Sequence, residues 1–457
     1  MEYETFLNNK NIILENSGFK VDKEELNPMM FDFQKDIVKW ALAKGRAAIF
    51  ADTGHGKTVM QLEWASKIHQ LTGGKVLILA PLAVTEQTQR EGSKFGINVT
   101  VCSSQDDVKD GINITNYEKL DKFISKEFIA IVLDESSILK SFTGKVRNQL
   151  IDRFRNTPYK LACTATPSPN DYMELGNHSE FLGVMTRAEM LSMYFIHDGG
   201  QTSKWRLKGH AKDVFWQWVS SWAVVICNPK DLGYDVKGFT LPKLNIYEII
   251  ADGIEPTDEV LTLTERRNAR KESLEDRCKA AAKLVNESNE QWLIWCDLNS
   301  EQDRLEKLLS DKCVSIRGTT KPDKKIEYER MWRNKEVPVL ITKPLCFGFG
   351  MNWQHCTDMI FVGLSDSYEL YYQAVRRCWR FGQTREVNVY LVIGGREGCV
   401  KQNIERKEKE FKLMQDAMIN LTKDIISNEI KATSRITTPY KTTTTMKLPM
   451  WNEFKGE

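Results

Sequence analysis

The chain has 457 residues, enough for two or three domains that each bury a core of their own, so a single small module is excluded. Its 64 Lys and Arg residues nearly balance its 62 Asp and Glu residues, so any nucleic-acid surface has to be a local patch. Ten cysteines without a C-x-x-C pair argue against a zinc ribbon and a disulfide framework. No apolar run reaches the roughly 18 residues of a membrane span. Together these observations predict a cytosolic protein without membrane segments.

Within the predicted first domain, residues 1–170, the chain from residue 46 onward alternates short apolar runs with mixed segments. The runs are too short for helices and rich in aliphatic and β-branched residues, which predicts strands. Their nearly continuous hydrophobicity is typical of strands covered on both faces, as in a parallel sheet flanked by helices. In chain order the runs read RAAIFAD, KVLILAP, INVTVCS, INITN, FIAIVLDE and YKLACTAT. We therefore predict an α/β lobe in this part of the chain.

A bend rich in glycine follows the first predicted strand, in ADTGHGKTVM at residues 51–60. Two glycines let backbone N–H groups converge on an anion, and the start of the following helix adds its dipole. A lysine at this place reaches the β- and γ-phosphates of a nucleotide, and the next hydroxyl binds Mg²⁺. The usual first glycine of the G-x-x-x-x-G-K-[ST] pattern is Ala51 here. The predicted ATP-binding residues are Thr53, Gly54, His55, Gly56, Lys57 and Thr58, with Thr58 as a Mg²⁺ ligand.

Two adjacent carboxylates end the fifth predicted strand, in IAIVLDESS. Sheets of this class bind ligands at the carboxyl ends of their strands, so these acids share an edge with the glycine-rich bend. Asp134 suits a Mg²⁺ ligand that acts partly through water, and Glu135 suits the group that orients or activates the attacking water. The sequence therefore predicts a site that hydrolyses ATP.

Residues 171–237 contain many aromatic residues and little strand pattern, which predicts a helical insertion. Four apolar residues recur there at three- and four-residue spacing, which favours a helix face packed on a lobe over a base-stacking surface. They are Phe215, Trp218, Trp222 and Val225.

Basic residues recur just before that apolar face, at Lys204, Arg206, Lys208 and Lys212. Such a ribbon could neutralise several phosphates of a nucleic acid. A solvated run of charges would give the same pattern. The sequence leaves both interpretations open.

A second series of apolar runs predicts another α/β lobe at residues 238–396. The runs read LNIYEII, QWLIWCD, CVSIRG, VPVLITKP, DMIFVG and EVNVYLVI. Residues 397–457 begin with a charged helical pattern and end in a threonine-rich polar stretch, which predicts a C-terminal helix followed by a mobile tail.

Cationic and glycine-containing segments occur near the end of the second lobe. Arg377 and Arg380 are three residues apart in QAVRRCWRFGQ, a spacing that places both on one face of a helix. From there they could reach a γ-phosphate held by the first lobe and stabilise the charge that develops in phosphoryl transfer. A solvated basic helix is the alternative. Gly348 and Gly350, just before Asn352, predict a backbone turn tight enough to approach a phosphate.

These segments, in this order, resemble the motor core of superfamily II helicases, and among those the Swi/Snf-type DNA translocases, especially versions encoded by phages and prophages. The resemblance covers roughly residues 30–395. FDFQKDIVKWAL resembles the adenine-reading Q element, with Gln34 as the matching glutamine. LILAPLAVTEQTQREGSKF and ITNYEKL resemble segments that touch nucleic acid, and TATPSPN resembles the element that couples hydrolysis to strand binding. The resemblance implies two tandem RecA-like lobes, and it implies that the segment with Gly350 contacts DNA or the γ-phosphate side of the nucleotide.

The function that the resemblance implies is ATP- and Mg²⁺-dependent movement along duplex DNA, or remodelling of it, in the cytoplasm of a bacterial or phage-infected cell. A strand-separating DNA helicase, an RNA helicase and a motor subunit of a restriction or recombination complex are alternatives. A packaging motor with nuclease activity fits less well, because the second lobe stands where its carboxylates would be needed. A scaffold that has lost hydrolysis is disfavoured by the retained lysine, acid pair and arginines. A monomer is compatible with the sequence, which leaves the oligomeric state open.

Overall fold

The computed structural model describes residues 16–140, 144–168, 171–197, 205–254, 263–347, 352–365 and 367–397, and parts of the segment 402–420. Within these residues the chain forms two parallel sheets, each covered by helices on both faces. This confirms the predicted α/β class with two RecA-like lobes.

The sheet of the first lobe has the strand order β3-β4-β2-β5-β6-β1-β9, and all its neighbours are parallel. Its strands are β1 (Arg46–Ala51), β2 (Lys75–Ala80), β3 (Val99–Val101), β4 (Ile112–Asn116), β5 (Phe128–Asp134), β6 (Tyr159–Cys163) and β9 (Ala223–Ile226). The first six of them coincide with the six predicted strands.

Helices cover this sheet on both faces. They are α1 (Asp32–Lys44), α2 (Lys57–Thr72), α3 (Thr85–Lys94), α4 (Lys145–Arg153), α5 (Leu175–Leu182), α6 (Arg187–Tyr194) and α7 (Lys212–Ser220). Apolar residues of α1 and α2 pack on one face of the sheet, and those of α4 to α7 pack on the other. A short antiparallel hairpin of β7 (Phe195–His197) and β8 (Trp205–Leu207) lies between α6 and α7.

The segment expected as an insertion after residue 170 is mainly helical, but its helices pack on the first sheet and its end supplies the edge strand β9. The sheet of the first lobe thus extends past the boundary expected from the sequence. The four predicted core residues are all buried. The prediction that they share one helix is wrong, because α7 ends at Ser220 and Val225 lies in β9. The strand was not predicted because the run AVVI is only four residues long and closely follows the aromatic helix.

The sheet of the second lobe has the order β10-β15-β14-β11-β13-β12, also parallel throughout. Its strands are β10 (Leu244–Ile250), β11 (Trp292–Cys296), β12 (Cys313–Ser315), β13 (Val339–Thr342), β14 (Asp358–Val362) and β15 (Val387–Ile393). Its helices are α8 (Leu263–Glu272), α9 (Leu274–Asn286), α10 (Asn299–Leu309), α11 (Pro322–Arg333), α12 (Pro344–Phe347) and α13 (Tyr368–Val375). All six predicted strands of this lobe are confirmed.

The described parts of the segment 402–420 are helical, and Ile404 is buried in the same apolar cluster as residues of α13. The predicted mobile tail lies outside the described residues. Among the helices that the structure describes, none is both long enough and apolar enough to cross a bilayer.

Candidate nucleotide site between the lobes

The glycine-rich bend connects β1 to α2 at the carboxyl edge of the first sheet. Gly54 and Gly56 have φ angles of +93° and +80°, which residues with a Cβ rarely adopt. Space is restricted as well, since a Cβ on Gly56 would lie 2.2 Å from the Gln34 side-chain nitrogen, and one on Gly54 would lie 3.0 Å from the backbone nitrogen of Phe381. The bend is therefore enclosed by α1 on one side and by the second lobe on the other.

Gln34 in α1 supports the bend through its amide. Its Nε2 donates to the His55 carbonyl at 2.9 Å, and its Oε1 accepts from the Phe31 backbone N–H at 3.0 Å. Both ends of the amide thus contact protein backbone. The adenine contact implied by the resemblance stays a prediction, whereas the visible role of Gln34 is to fix the bend.

His55 is buried in the bend but is not among the residues that line the cavity. Its Nδ1 lies 3.2 Å from the Asp52 carbonyl, and its ring lies 5.0 Å from the ring of Phe239. Burial lowers the pKa of His55 to about 4, so the ring is neutral at pH 7. The predicted contact of His55 with the nucleotide stays a prediction.

The bend borders a cavity of about 180 Å³. The predicted residues on its wall are Thr53, Gly54, Gly56, Lys57, Thr58, Asp134, Glu135 and Arg380. Lys57 lies at the start of α2, and its Nζ donates to the Ala51 carbonyl at 2.9 Å. The structure thus brings together the lysine, the hydroxyl, the acid pair and one of the two predicted arginines.

Asp134 ends β5, and its carbonyl accepts from the Tyr117 hydroxyl at 2.7 Å. Burial, reinforced by the neighbouring charge of Glu135, raises the pKa of Asp134 to about 7. Glu135 has a left-handed φ of 53°, uncommon for a residue with a side chain, and accepts from the Thr164 hydroxyl at 3.3 Å. This backbone conformation turns the chain sharply directly after the strand.

The same wall fits a magnesium ion. A cation beside Asp134 would offset the unfavourable burial of its charge, and Thr58 lines the same cavity. In the described part of the chain, no group of three or more His, Cys, Asp and Glu side chains could hold a metal ion by itself. An ion held by Thr58 and Asp134 would therefore take its other ligands from nucleotide phosphates and water.

The two predicted arginines have different surroundings. Arg380 lines the cavity, and burial lowers its pKa to about 10. Arg377 is buried, and its Nε donates to the Gln373 carbonyl at 3.0 Å. Burial and then the charge of Arg380 lower the pKa of Arg377 to about 9. The prediction that both arginines lie on one helix face is wrong, because α13 ends at Val375 and both arginines lie in the turns after it.

Some predicted residues fall outside the described part of the chain. Gly348 and Gly350, expected beside the nucleotide, lie there, and so does Lys204 of the basic ribbon. Of the rest of the ribbon, Arg206 and Lys212 are exposed. Lys208 instead donates to the carbonyls of Ser192 and Met193 at 3.0 and 2.9 Å, near the end of α6. A structural role therefore explains Lys208 without a nucleic acid.

Contacts between the lobes were not predicted. Glu369 of α13 pairs with Lys140 and accepts from the Thr166 hydroxyl at 3.3 Å. Asp52, next to the predicted loop residues, pairs with Arg376, next to the predicted arginines. The only sequence signal for these contacts was that oppositely charged residues occur near the glycine-rich bend and near the predicted arginines. No sequence period relates residues more than 200 positions apart, so the pairs could not be predicted.

Helix α3 also reaches the site. Gln87, Thr88 and Glu91 line the cavity, although their segment was expected to touch nucleic acid. The negative charge of Glu91 favours the charged form of Arg380 and partly offsets the effect of burial. The first lobe therefore offers this arginine an acidic neighbour.

Comparison with known families agrees with this architecture. Residues 31–175 match the DEAD/DEAH box helicase family, and residues 276–382 match the helicase conserved C-terminal domain. The first match lies in the first lobe and the second match in the second lobe. Together they cover more than half of the chain.

Individual relatives are more distant. Helicase swr1 of Aspergillus fumigatus is 28% identical over 131 residues, which are 28% of this chain and 8% of that protein. ATP-dependent helicase FUN30 of Saccharomyces cerevisiae is 27% identical over 157 residues, 32% of this chain and 13% of that protein. The chain therefore matches only a small part of the length of these relatives.

A solved structure, S. cerevisiae Dbp5 bound to RNA and ADP BeF3, superposes with a TM-score of 0.54 at 12% identity and covers 88% of this chain and 94% of that one. This likeness supports the two-lobed fold. The chain therefore combines a lobe that matches the DEAD/DEAH box helicase family with a lobe that matches the helicase conserved C-terminal domain, and residues of both lobes line one cavity.

Proposed function

We propose that this protein is an ATP-dependent translocase that moves along duplex DNA or remodels it. The observation that carries the proposal is the single cavity lined by Lys57 and Thr58, by the acid pair, and by Arg380 from the second lobe. Phosphate-binding, water-activating and charge-stabilising groups are the parts that ATP hydrolysis requires. Because they come from two lobes, the site is complete only when the lobes are closed.

Each side chain has a part in the proposed reaction. Lys57 neutralises the β- and γ-phosphates, and Glu135, next to the Thr164 hydroxyl, orients the attacking water. Arg380 stabilises the charge that spreads over the transferred phosphoryl group. Mg²⁺, held by Thr58 and by Asp134 partly through water, would supply further neutralisation of the phosphates.

A short chain of contacts connects the proposed hydrolytic site with the second lobe. Thr164 contacts Glu135, and the Thr166 backbone N–H donates to the Thr164 hydroxyl at 3.1 Å. Thr166 in turn contacts Glu369 of the second lobe. A change at Glu135 can therefore alter how the lobes meet, which is what a motor that alternates between closed and open states needs.

Duplex DNA is the substrate we propose, since the motif sequences resemble those of Swi/Snf-type translocases. Contacts to a duplex would be mostly with phosphates, so we expect little sequence preference and a strong dependence on salt. From the same resemblance we propose that the protein works in the cytoplasm of a bacterial or phage-infected cell, with replication, recombination or restriction proteins as partners.

The test is the ATPase rate measured in parallel without nucleic acid and with duplex DNA, single-stranded DNA, forked DNA and RNA. We expect the strongest stimulation by duplex DNA, and hardly any turnover by Glu135→Gln under each condition. Displacement of the third strand from a triplex should accompany hydrolysis, with little separation of a blunt duplex. Strongest stimulation by RNA, or efficient unwinding of the blunt duplex, would replace the proposal with one of the helicase alternatives.

A further inference from the structure

The glycine-rich bend is held from the second lobe at its first two residues. The Asp52 carboxylate accepts hydrogen bonds from Arg376 Nη2, from the Tyr372 hydroxyl and, at 2.6 Å, from the Thr53 backbone N–H. The same Arg376 Nη2 donates to the Thr53 carbonyl at 3.0 Å. Both the side chain and the backbone at the start of the bend thus depend on two residues of the other lobe.

This contact excludes water. The side chains of Arg376 and Asp52 are only 4% and 11% exposed. The guanidinium lies 5.7 Å from the ring centroid of Tyr372 and 5.0 Å from that of Trp379, within the range of cation–π attraction. Burial opposes both charges, but each partner stabilises the other, so the pKa of Asp52 stays below and that of Arg376 above its usual value. Removing either partner would leave a buried charge without compensation.

We propose that Arg376, together with Tyr372, is a positioning residue that clamps the phosphate-binding bend at Asp52 and Thr53 when the lobes close. Arg376 is absent from the wall of the cavity, whereas Arg380 lines it, so the two arginines act differently: one on the bend, the other on the nucleotide. The inference rests on the nucleotide site proposed above.

The clamp links nucleotide affinity to lobe closure. Opening the lobes breaks the ion pair, the Tyr372 hydrogen bond and the bond to the Thr53 carbonyl together. A nucleotide that needs the ordered bend therefore favours closure, and closure favours nucleotide binding by the same factor.

The experiment measures the affinity of the full chain for a non-hydrolysable ATP analogue, without DNA, and the hydrogen exchange of backbone amides 52–58. Arg376→Ala and Asp52→Asn should each weaken binding about tenfold and speed exchange in the bend. The double variant should also lose about tenfold, because the second change removes a contact that is already lost. Tyr372→Phe, which keeps the ring and removes one hydrogen bond, should lose about threefold. Arg396→Ala, at an exposed second-lobe arginine, is the matched control and should bind normally.

Additive losses, with the double variant weakened about a hundredfold, would overturn the clamp. So would unchanged affinity and unchanged exchange in the bend of folded Arg376→Ala. If that variant does not fold, Asp52→Asn and Tyr372→Phe decide the question by the same two measurements. Failure of the wild-type chain to bind the analogue would instead contradict the nucleotide site itself.

Discussion

Replacing Arg380 with alanine tests the division of work between the arginines after α13. Arg380 shares the cavity with Lys57 and Glu135, and burial lowers its pKa from 12.5 to about 10. That shift corresponds to about 3 kcal/mol against the charged form. A γ-phosphate offsets this cost, most strongly in the transition state, where charge spreads over the transferred group. We expect Arg380→Ala to lower kcat on the order of 10³-fold, which is about 4 kcal/mol, with a much smaller effect on ATP affinity.

Steady-state ATPase measurements with saturating duplex DNA, combined with equilibrium nucleotide binding, separate these two effects. Arg385→Ala is the matched control, because Arg385 is an exposed arginine of the same segment and should keep kcat within about twofold. A folded Arg380→Ala variant that keeps kcat and loses only ATP affinity would refute a catalytic role. A larger kcat loss in folded Arg377→Ala would reverse the assignment of the two arginines.

Three further predictions concern the first lobe. Lys57→Ala should lose most turnover and ATP affinity, whereas Glu135→Gln should bind ATP and hardly hydrolyse it. Turnover and equilibrium binding assays distinguish the two variants, and normal turnover in both would contradict the proposed nucleotide site. Because the pKa of Asp134 is raised to about 7 in the fold, the folded state binds more protons, so stability should fall as the pH rises from the ordinary carboxyl range toward 7. Thermal melts of Asp134→Asn should lack this fall, and an identical pH profile would contradict it. Arg206→Glu should weaken duplex binding and flatten its salt dependence, whereas Lys208→Ala should lower thermal stability with the salt slope unchanged; an unchanged slope in Arg206→Glu would assign that side chain to solvent.

Sequence predicts the sheets well because each strand is a local pattern. A strand covered on both faces needs a continuous apolar run wherever it lies in the sheet, and twelve such runs became strands. β9 escaped prediction for a physical reason: it is four residues long, follows a buried aromatic helix, and joins the edge beside β1 only after the chain has passed through α4 to α7.

The half of the site contributed by the first lobe was predictable for the same reason. Lys57 follows β1 across the glycine-rich bend, the acid pair lies at the end of β5, and parallel strands bring their carboxyl ends to one edge. Gln34 was assigned by resemblance to the adenine, but its bonds to the backbone of the bend could not be read from the sequence. A motif identifies the residue type at a position, whereas the hydrogen-bond partner depends on packing.

The turns after α13 show most clearly what a linear pattern leaves out. A three-residue spacing implies a shared direction only in a helix, and here the helix ends at Val375. Outside it, the three arginines have different contacts: Arg376 pairs with Asp52, 324 positions earlier in the chain, the buried Arg377 donates to the Gln373 carbonyl, and Arg380 lines the cavity. One short segment thereby contacts both the glycine-rich bend and the cavity in which we propose that the phosphates bind. Any rotation of the second lobe must move these two contacts together, so nucleotide grip and catalytic stabilisation would be gained and lost in the same step.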